Sequence, residues 1–145
     1  MGARLSLKPF STLNRTQHRT LLAFLAQFGP PSPFPDEEAM RKELDGPVFN
    51  RGDNFLTLWT EEGTITGTIG VVTREAQTKG EIFLTSIYVE PRSGEVIKRL
   101  IDEAYQVARS TEGVHPGIAL RLGVREKLSY LKPEVEKAGF KATTR

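Results

Sequence analysis

The amino-acid sequence predicts an α/β fold, in which helices flank one central mixed β-sheet, and two observations predict it. The first is a run of three β-rich segments at 55–59, 64–73 and 81–89, which indicates antiparallel pairing. The second is an amphipathic helix pattern at 95–110, between the third segment and a further strand at 118–124. A strand, a helix and a strand in this order indicate a parallel pair with a right-handed crossover. Residues 81–89 should therefore form a central strand.

The elements before residue 50 follow from local signals. A loosely alternating segment at 3–10 predicts a short strand that Pro9 closes, and apolar residues at helical spacing predict a helix over 14–28. The prolines of 29–35 prevent regular structure there. Asp36 then has the position of an N-cap for a second short helix.

Two β-rich segments flank Glu61-Glu62-Gly63, so they should form a hairpin. Gly67 and Gly70 interrupt the second of them, which indicates a bulge or a close backbone approach. Phe55 and Trp59 are interpreted as core residues of this hairpin.

Composition limits the possible functions. We expect 1–145 to be one domain, since its 145 residues with 38% hydrophobic and 26% charged side chains suit a single globular unit. The absence of cysteine excludes disulfides and a thiolate nucleophile, and His18 and His115 are too isolated to predict a metal site. His18 shares a polar helix face with Arg15 and Arg19, so we expect it to be exposed rather than catalytic. A scattered net charge of +2 does not indicate nucleic-acid binding. The sequence shows no membrane span and no secretory signal, so a cytoplasmic location is expected.

Three segments carry a resemblance to a known family. They are IYVEP at 87–91, RSGEVIKRLIDEA at 92–104 and EVEKAGF at 134–140. In this order and spacing they resemble the GNAT superfamily of N-acetyltransferases over nearly the whole chain. The resemblance implies acetyl-CoA as cosubstrate and a small amine or a protein amine as acceptor.

The resemblance also implies a cofactor-binding site that runs from a strand end into a helix. The strand backbone would contact the pantetheine arm, and the following loop and helix N-terminus would hold the pyrophosphate. On this chain the corresponding residues are Ile87, Tyr88, Val89, Arg92, Ser93, Gly94, Glu95 and Val96.

The pyrophosphate loop departs from the family pattern, which is Gln/Arg-x-x-Gly-x-Gly/Ala. The loop is about two residues shorter, because Arg92 follows Pro91 directly. When the motif is aligned by counting back from the helix, Ser93 and Glu95 occupy two of its glycine positions. When it is aligned on Gly94 instead, Val96 occupies the final glycine position. Neither alignment restores the motif.

Two interpretations of this turn follow. In the first, Ser93 caps the helix, the Glu95 carboxylate interacts favourably with the helix dipole, and nothing binds. In the second, Arg92 pairs with a phosphate despite the repulsion from Glu95. The sequence favours the first interpretation.

The catalytic side chains implied by the resemblance are also incomplete. Glu81 has roughly the position of a catalytic glutamate of some family members, although a charge at a strand start is more often just solvated. The tyrosine that protonates the leaving thiolate in the family is replaced by Val135. Tyr130 lies five residues earlier on a different helical face, with Pro133 between, and is a poor substitute.

The family's last strand pair is incomplete in this sequence, which ends at Arg145, five residues after Phe140. We therefore expect a homodimer, pairing with a further domain, or a longer or tandem protein. The sequence leaves two functions open. One is an N-acetyltransferase with an impaired CoA site, and the other is a catalytically silent scaffold, regulatory or dimerisation module of the same fold.

Overall fold

The five described strands form one mixed sheet in the order β1-β2-β3-β4-β5. In this computed structural model the residues described are 4–30, 33–73, 81–90, 93–110, 119–122 and 133. The strands are β1 (Ser6–Pro9), β2 (Phe55–Trp59), β3 (Ile65–Val72), β4 (Glu81–Val89) and β5 (Ala119–Leu122). The helices are α1 (Arg15–Phe28), α2 (Glu37–Leu44) and α3 (Gly94–Ser110), with short 3₁₀ turns at Phe10–Thr12 and Pro47–Phe49.

The pairing confirms the predicted topology. The pairs β1–β2, β2–β3 and β3–β4 are antiparallel, whereas β4–β5 is parallel. Strand β4 lies inside the sheet between β3 and β5, and α3 connects these two parallel strands. The α/β class and the central position of 81–89 are therefore confirmed.

The two N-terminal helices each begin at a capping residue. The Asn14 side chain accepts from the Gln17 N–H at 2.9 Å, and the Gln17 side chain accepts from the Asn14 N–H at 2.9 Å, which is a complete capping box. Asp36 accepts from the Ala39 N–H at 2.8 Å and starts α2 as expected.

The hairpin and its glycines also agree with the sequence. Gly63 has a φ of +82°, the conformation that the turn between β2 and β3 requires. A Cβ on Gly67 would lie 2.7 Å from Leu100 Cδ1 of α3, and one on Gly70 would lie 2.6 Å from Phe49 Cε1. Both glycines thus allow a side chain from another element to pack directly on the β3 backbone.

Alternation along the strands places one apolar cluster on each face of the sheet. Leu56 and Leu58 of β2 belong to the cluster that packs against α3. Phe55 and Trp59 belong to the cluster formed with α1 and α2, and both are buried as predicted. We call these the α3 face and the α1–α2 face.

Several details differ from the sequence-based expectation. β1 begins only at Ser6 but ends at Pro9 as predicted, and Pro9 pairs with Leu56 because a strand at a sheet edge tolerates a missing N–H. His18 was expected on an exposed helix face, but its ring stacks on Phe10 with 4.7 Å between centroids. His115 and the predicted helix ending before Gly139 lie outside the described residues.

Candidate functional site

Strand β4 contains a β-bulge that the sequence did not predict. Thr68 of β3 is opposite Tyr88, and Gly70 is opposite Thr85, so two residues of β4, Ser86 and Ile87, face a single residue of β3. Ser86 has a φ of +55°, in the left-handed region that a serine rarely adopts. The bulge changes the direction of the backbone in the second half of the strand.

A buried threonine stabilises this bulge. The Thr68 hydroxyl donates a hydrogen bond of 2.8 Å to the carbonyl oxygen of Ser86. Thr68 has no solvent-accessible surface, so its hydroxyl requires a partner within the protein. The unusual Ser86 conformation provides that partner.

The bulge lies beyond the last described pair between β4 and β5. Within the described part of the chain this parallel ladder joins Glu81 through Leu84 to β5, and it ends before Ser86. Further along, the Glu90 N–H donates to the Thr66 carbonyl of β3 at 3.0 Å. Since successive residues of a strand alternate in direction, the N–H and C=O of Val89 point away from β3. These backbone groups therefore face the β5 side of β4.

The side chains around the bulge divide between the two faces of the sheet. Ile87 and Val89 are buried in the α3-face cluster. Tyr88 is half-buried and packs against the α1–α2-face cluster. Of the three residues predicted to contact pantetheine, Ile87, Tyr88 and Val89, only Tyr88 therefore presents a side chain to the α1–α2 face.

Helix α3 begins with a serine cap, as the first interpretation of the turn predicted. The Ser93 carbonyl accepts from the Ile97 N–H at 3.0 Å. Its hydroxyl accepts from the Val96 N–H at 3.4 Å, which is a long and therefore weak bond. Gly94 is the first helical residue, and Arg92 lies outside the described residues.

The charges of the first helical turns form a mixed surface. Glu95 is exposed and lies in the first turn of α3. Further along, Lys98 Nζ lies 3.9 Å from Asp102, and Arg99 Nε lies 3.1 Å from Glu103. A groove of about 210 Å³ between this part of α3 and the start of β1 is lined by Leu5, Glu95, Lys98, Arg99 and Asp102. Its two cations each have an acidic neighbour one turn away, so it has no strong excess of positive charge for an anion.

Glu81, the predicted catalytic residue, begins β4 opposite Ala119. Ser86 lies five positions further along the strand, which corresponds to about 16 Å in an extended conformation. Glu81 therefore shares a strand with the bulge but is not adjacent to it.

Sequence reasoning misjudged His18. Its Nδ1 atom is buried and has no hydrogen-bond partner in the described structure. Burial, and next the positive charge of Arg41, lower the pKa of His18, while Glu37 and Asp45 oppose this shift. The apolar surface of Phe10, which precedes α1 in the chain, is the signal that could have predicted partial burial.

The described residues offer neither a candidate metal centre nor a membrane-spanning helix. No group of three or more His, Cys, Asp or Glu side chains there is arranged to hold a metal ion. No helix in those segments is long and apolar enough to cross a membrane.

The architecture is similar to that of solved acetyltransferases. A GNAT-family acetyltransferase from Staphylococcus aureus Mu50 has a TM-score of 0.68 at 16% identity, covering 98% of this chain and 87% of that one. An aminoglycoside N-acetyltransferase in complex with CoA has a TM-score of 0.69 at 19% identity, covering 100% and 93%. A transcriptional regulator from Bacillus halodurans has a TM-score of 0.71 at 13% identity, covering 98% and 96%. Neither a protein-family model nor a curated protein sequence matches the chain.

These comparisons establish the fold. The chain has the fold of the GNAT acetyltransferases over nearly its whole length, as the resemblance of 87–104 implied. Because the identities are low and one similar structure is a transcriptional regulator, the likeness does not by itself assign an activity.

Proposed function

We propose that the chain is an N-acetyltransferase that uses acetyl-CoA and an amine acceptor, and that it binds the CoA pyrophosphate weakly. The bulge in β4 is the observation that carries this proposal. It lies beyond the last described β4–β5 pair, at Ser86, and is held by the Thr68 hydroxyl. Bulges and residues held in a left-handed conformation are common beside active sites, which supports a functional reading of this one.

The backbone beyond the bulge supplies the binding groups for the acyl donor. The N–H and C=O of Val89 are directed away from β3, where the amides of the pantetheine arm can pair with them. Ile87 and Val89 are anchored by the α3-face core, so this backbone is rigid. Such a site orients the thioester without any charged side chain.

Acetylation of an amine also requires removal of a proton from the ammonium. Glu81 stays the candidate base, and its separation from Ser86 along β4 means that it would act through water. The acceptor would approach from the α1–α2 face, opposite α3.

The weak pyrophosphate binding follows from the start of α3. Ser93 already accepts the Val96 N–H, one of the groups that a phosphate at this position would use. The Glu95 carboxylate in the first turn interacts favourably with the helix dipole and repels a phosphate. The positive charge of Arg92 attracts a phosphate and offsets part of this repulsion. The site should therefore bind pyrophosphate with low affinity.

A second candidate function is a silent module that dimerises or regulates a partner. The serine cap supports it, because it gives one of the free N–H groups of the helix N-terminus, that of Val96, a partner without a ligand. The likeness to a transcriptional regulator shows the same fold in a protein of that description. Both candidate functions are compatible with a homodimer or with pairing to a further domain.

The thermal stability of the chain with acetyl-CoA tests the proposal. A site with a dissociation constant of about 10 μM would add roughly 2.7 kcal/mol at about 1 mM ligand, since this is 100 times the constant. That stabilisation would raise the midpoint by more than about 5 °C. We expect a rise below about 2 °C for the unmodified chain. We also expect a larger rise for Glu95→Gly, because this change removes both the charge and the Cβ.

Glu62→Gly is the matched control, since it removes a carboxylate that is also exposed from the β2–β3 turn. It should leave the ligand response unchanged. No response in any variant, together with no release of thiol from acetyl-CoA, would favour the silent module. A large rise in the unmodified chain that Arg92→Ala abolishes would show instead that the loop does bind pyrophosphate well.

A further inference from the structure

We infer that His18 is a pH-sensitive latch, which holds the start of helix α1 on the preceding turn while its ring is neutral and releases it once the ring is protonated. The latch lies where three segments meet, namely the 3₁₀ turn Phe10–Thr12, the first turns of α1 and the helix α2. It is independent of the proposed acetyltransfer, because it uses no residue of that site.

The closed state of the latch is a ring stack. The His18 ring lies nearly parallel to that of Phe10, with 4.7 Å between the centroids and 14° between the planes. Phe10 is 3% exposed and belongs to the core of the α1–α2 face. The stack therefore joins the first turns of α1 to that core.

The Nδ1 atom of His18 makes this stack sensitive to protons. It is buried and has no hydrogen-bond partner in the described structure. A neutral imidazole can bury one bare nitrogen, whereas an imidazolium carries an N–H on both of its nitrogens. A charged N–H that is buried without an acceptor is unfavourable, so protonation opposes the stack.

The charged side chains of α2 determine what attracts the protonated ring. Burial, and next the positive charge of Arg41, lower the pKa of His18, whereas the carboxylates of Glu37 and Asp45 oppose this shift. Glu37 already lies 3.2 Å from the Arg19 guanidinium of α1. Asp45, the C-cap of α2, has no ion pair in the described part of the chain and is the carboxylate left to attract the imidazolium.

The turn that carries Phe10 is also tied to the loop before β2. The Ser11 N–H donates to the Gly52 carbonyl at 3.2 Å, and the Ser11 hydroxyl donates to the Asp53 carboxylate at 2.8 Å. A Cβ on Gly52 would lie 3.0 Å from Phe10 Cδ2, so this loop packs on the Phe10 ring as well. Loss of the His18 stack should therefore loosen both the start of α1 and this loop.

The effect of the latch should reach the α1–α2 face of the sheet, because α1 also contacts β3 and β4. The other face is covered by α3, whose core cluster includes neither Phe10 nor any residue of α1. An opening at His18 is therefore local, and it differs in this respect from a general loss of stability in acid.

Hydrogen exchange at about pH 7.5 and about pH 5.5 tests the latch, with protection factors corrected for the intrinsic exchange rate at each pH. Because the open state has the ordinary histidine pKa of about 6.5 and the closed state a lower one, opening becomes up to about tenfold more frequent at the lower pH. We expect the protection factors of 10–18 and 50–54 to fall by about three- to tenfold. Those of α3 should change by less than about twofold.

Three variants separate the latch from other effects of acid. His18→Phe keeps a stacked ring without a site for a proton, so its protection in 10–18 should not depend on pH. His18→Lys carries a charge at both pH values and should show low protection at both. His115→Gln is the matched control, since it removes the other of the two histidines and should behave as the unmodified chain does.

A thermal midpoint shows whether each variant is folded. The latch is overturned if the protection of 10–18 in the unmodified chain is the same at both pH values. It is also overturned if the loss of protection persists in a folded His18→Phe chain, or if α3 loses as much protection as 10–18 does.

Discussion

Thr68→Val probes the contact that shapes the bulge in β4. The substitution preserves the volume and branching of the side chain and removes the hydroxyl that donates to the Ser86 carbonyl at 2.8 Å. A net hydrogen bond contributes about 0.5–1.5 kcal/mol, and a buried acceptor left without a donor costs about 1–3 kcal/mol. Ser86 is half-buried, so water can reach part of this site and the penalty should be at the lower end. We expect a loss of about 1–2 kcal/mol.

Urea unfolding measures this loss, and a thermal scan should show a midpoint lowered by roughly 3–8 °C. Thr66→Val is the matched control on the same strand. Thr66 is also buried, but its hydroxyl donates to the Leu58 carbonyl at the longer distance of 3.4 Å. Its replacement should cost less than about 1 kcal/mol.

The difference in stability between Thr68→Val and Thr66→Val shows whether the Thr68 hydroxyl holds the bulge. If Thr68→Val costs no more than Thr66→Val, the hydroxyl does not hold the bulge, and the argument that Ser86 is kept in a strained conformation for binding fails. If Thr68→Val also abolishes thiol release while the chain stays folded, the bulge is needed for turnover as well as for stability.

Two further predictions concern other parts of the fold. The pKa of His18 is lower in the folded chain than its value of about 6.5 in the unfolded chain. The folded chain therefore binds a proton at His18 less well than the unfolded chain does. The contribution of His18 to stability should therefore be complete above pH 6.5 and be lost as the pH falls towards the lower folded value. Urea unfolding at pH 7.5 and 5.5 should show this loss, and His18→Phe should reduce it, while an unchanged slope in that variant would assign the effect elsewhere. Gly70→Ala should cost about 1–3 kcal/mol, because its Cβ would lie 2.6 Å from Phe49 Cε1, and Phe49→Leu should recover part of this cost in the double variant. A Gly70→Ala chain as stable as the parent would contradict the close packing on β3.

The order of the elements could be predicted because it depends on local patterns. The turn at Gly63, the cap at Asp36 and the cap at Ser93 each depend on residues within a few positions. The parallel pairing of β4 and β5 followed from the helix between them, since a crossover of this kind has few alternatives.

The bulge could not be predicted from the same patterns. Residues 81–89 form a continuous β-rich segment, and Ser86 has none of the local features that favour a positive φ. Its conformation depends on Thr68, which is 18 residues away in sequence. His18 was misjudged for a related reason. Helical periodicity describes the neighbours along α1, whereas Phe10 belongs to the preceding turn.

The two parts of the proposed site therefore depend on different physics. The pyrophosphate end depends on the local sequence at the start of α3, where Ser93 and Glu95 replace the expected glycines. The thioester end depends on backbone groups of β4 held by long-range pairing, and no sequence motif is required there beyond residues that keep the strand and its bulge. Substitutions in the loop can consequently reduce the affinity for CoA while the geometry around the thioester is retained. This separation explains how a sequence with a degenerate loop can keep the bulged strand. It also implies that affinity and turnover have to be measured independently in this protein.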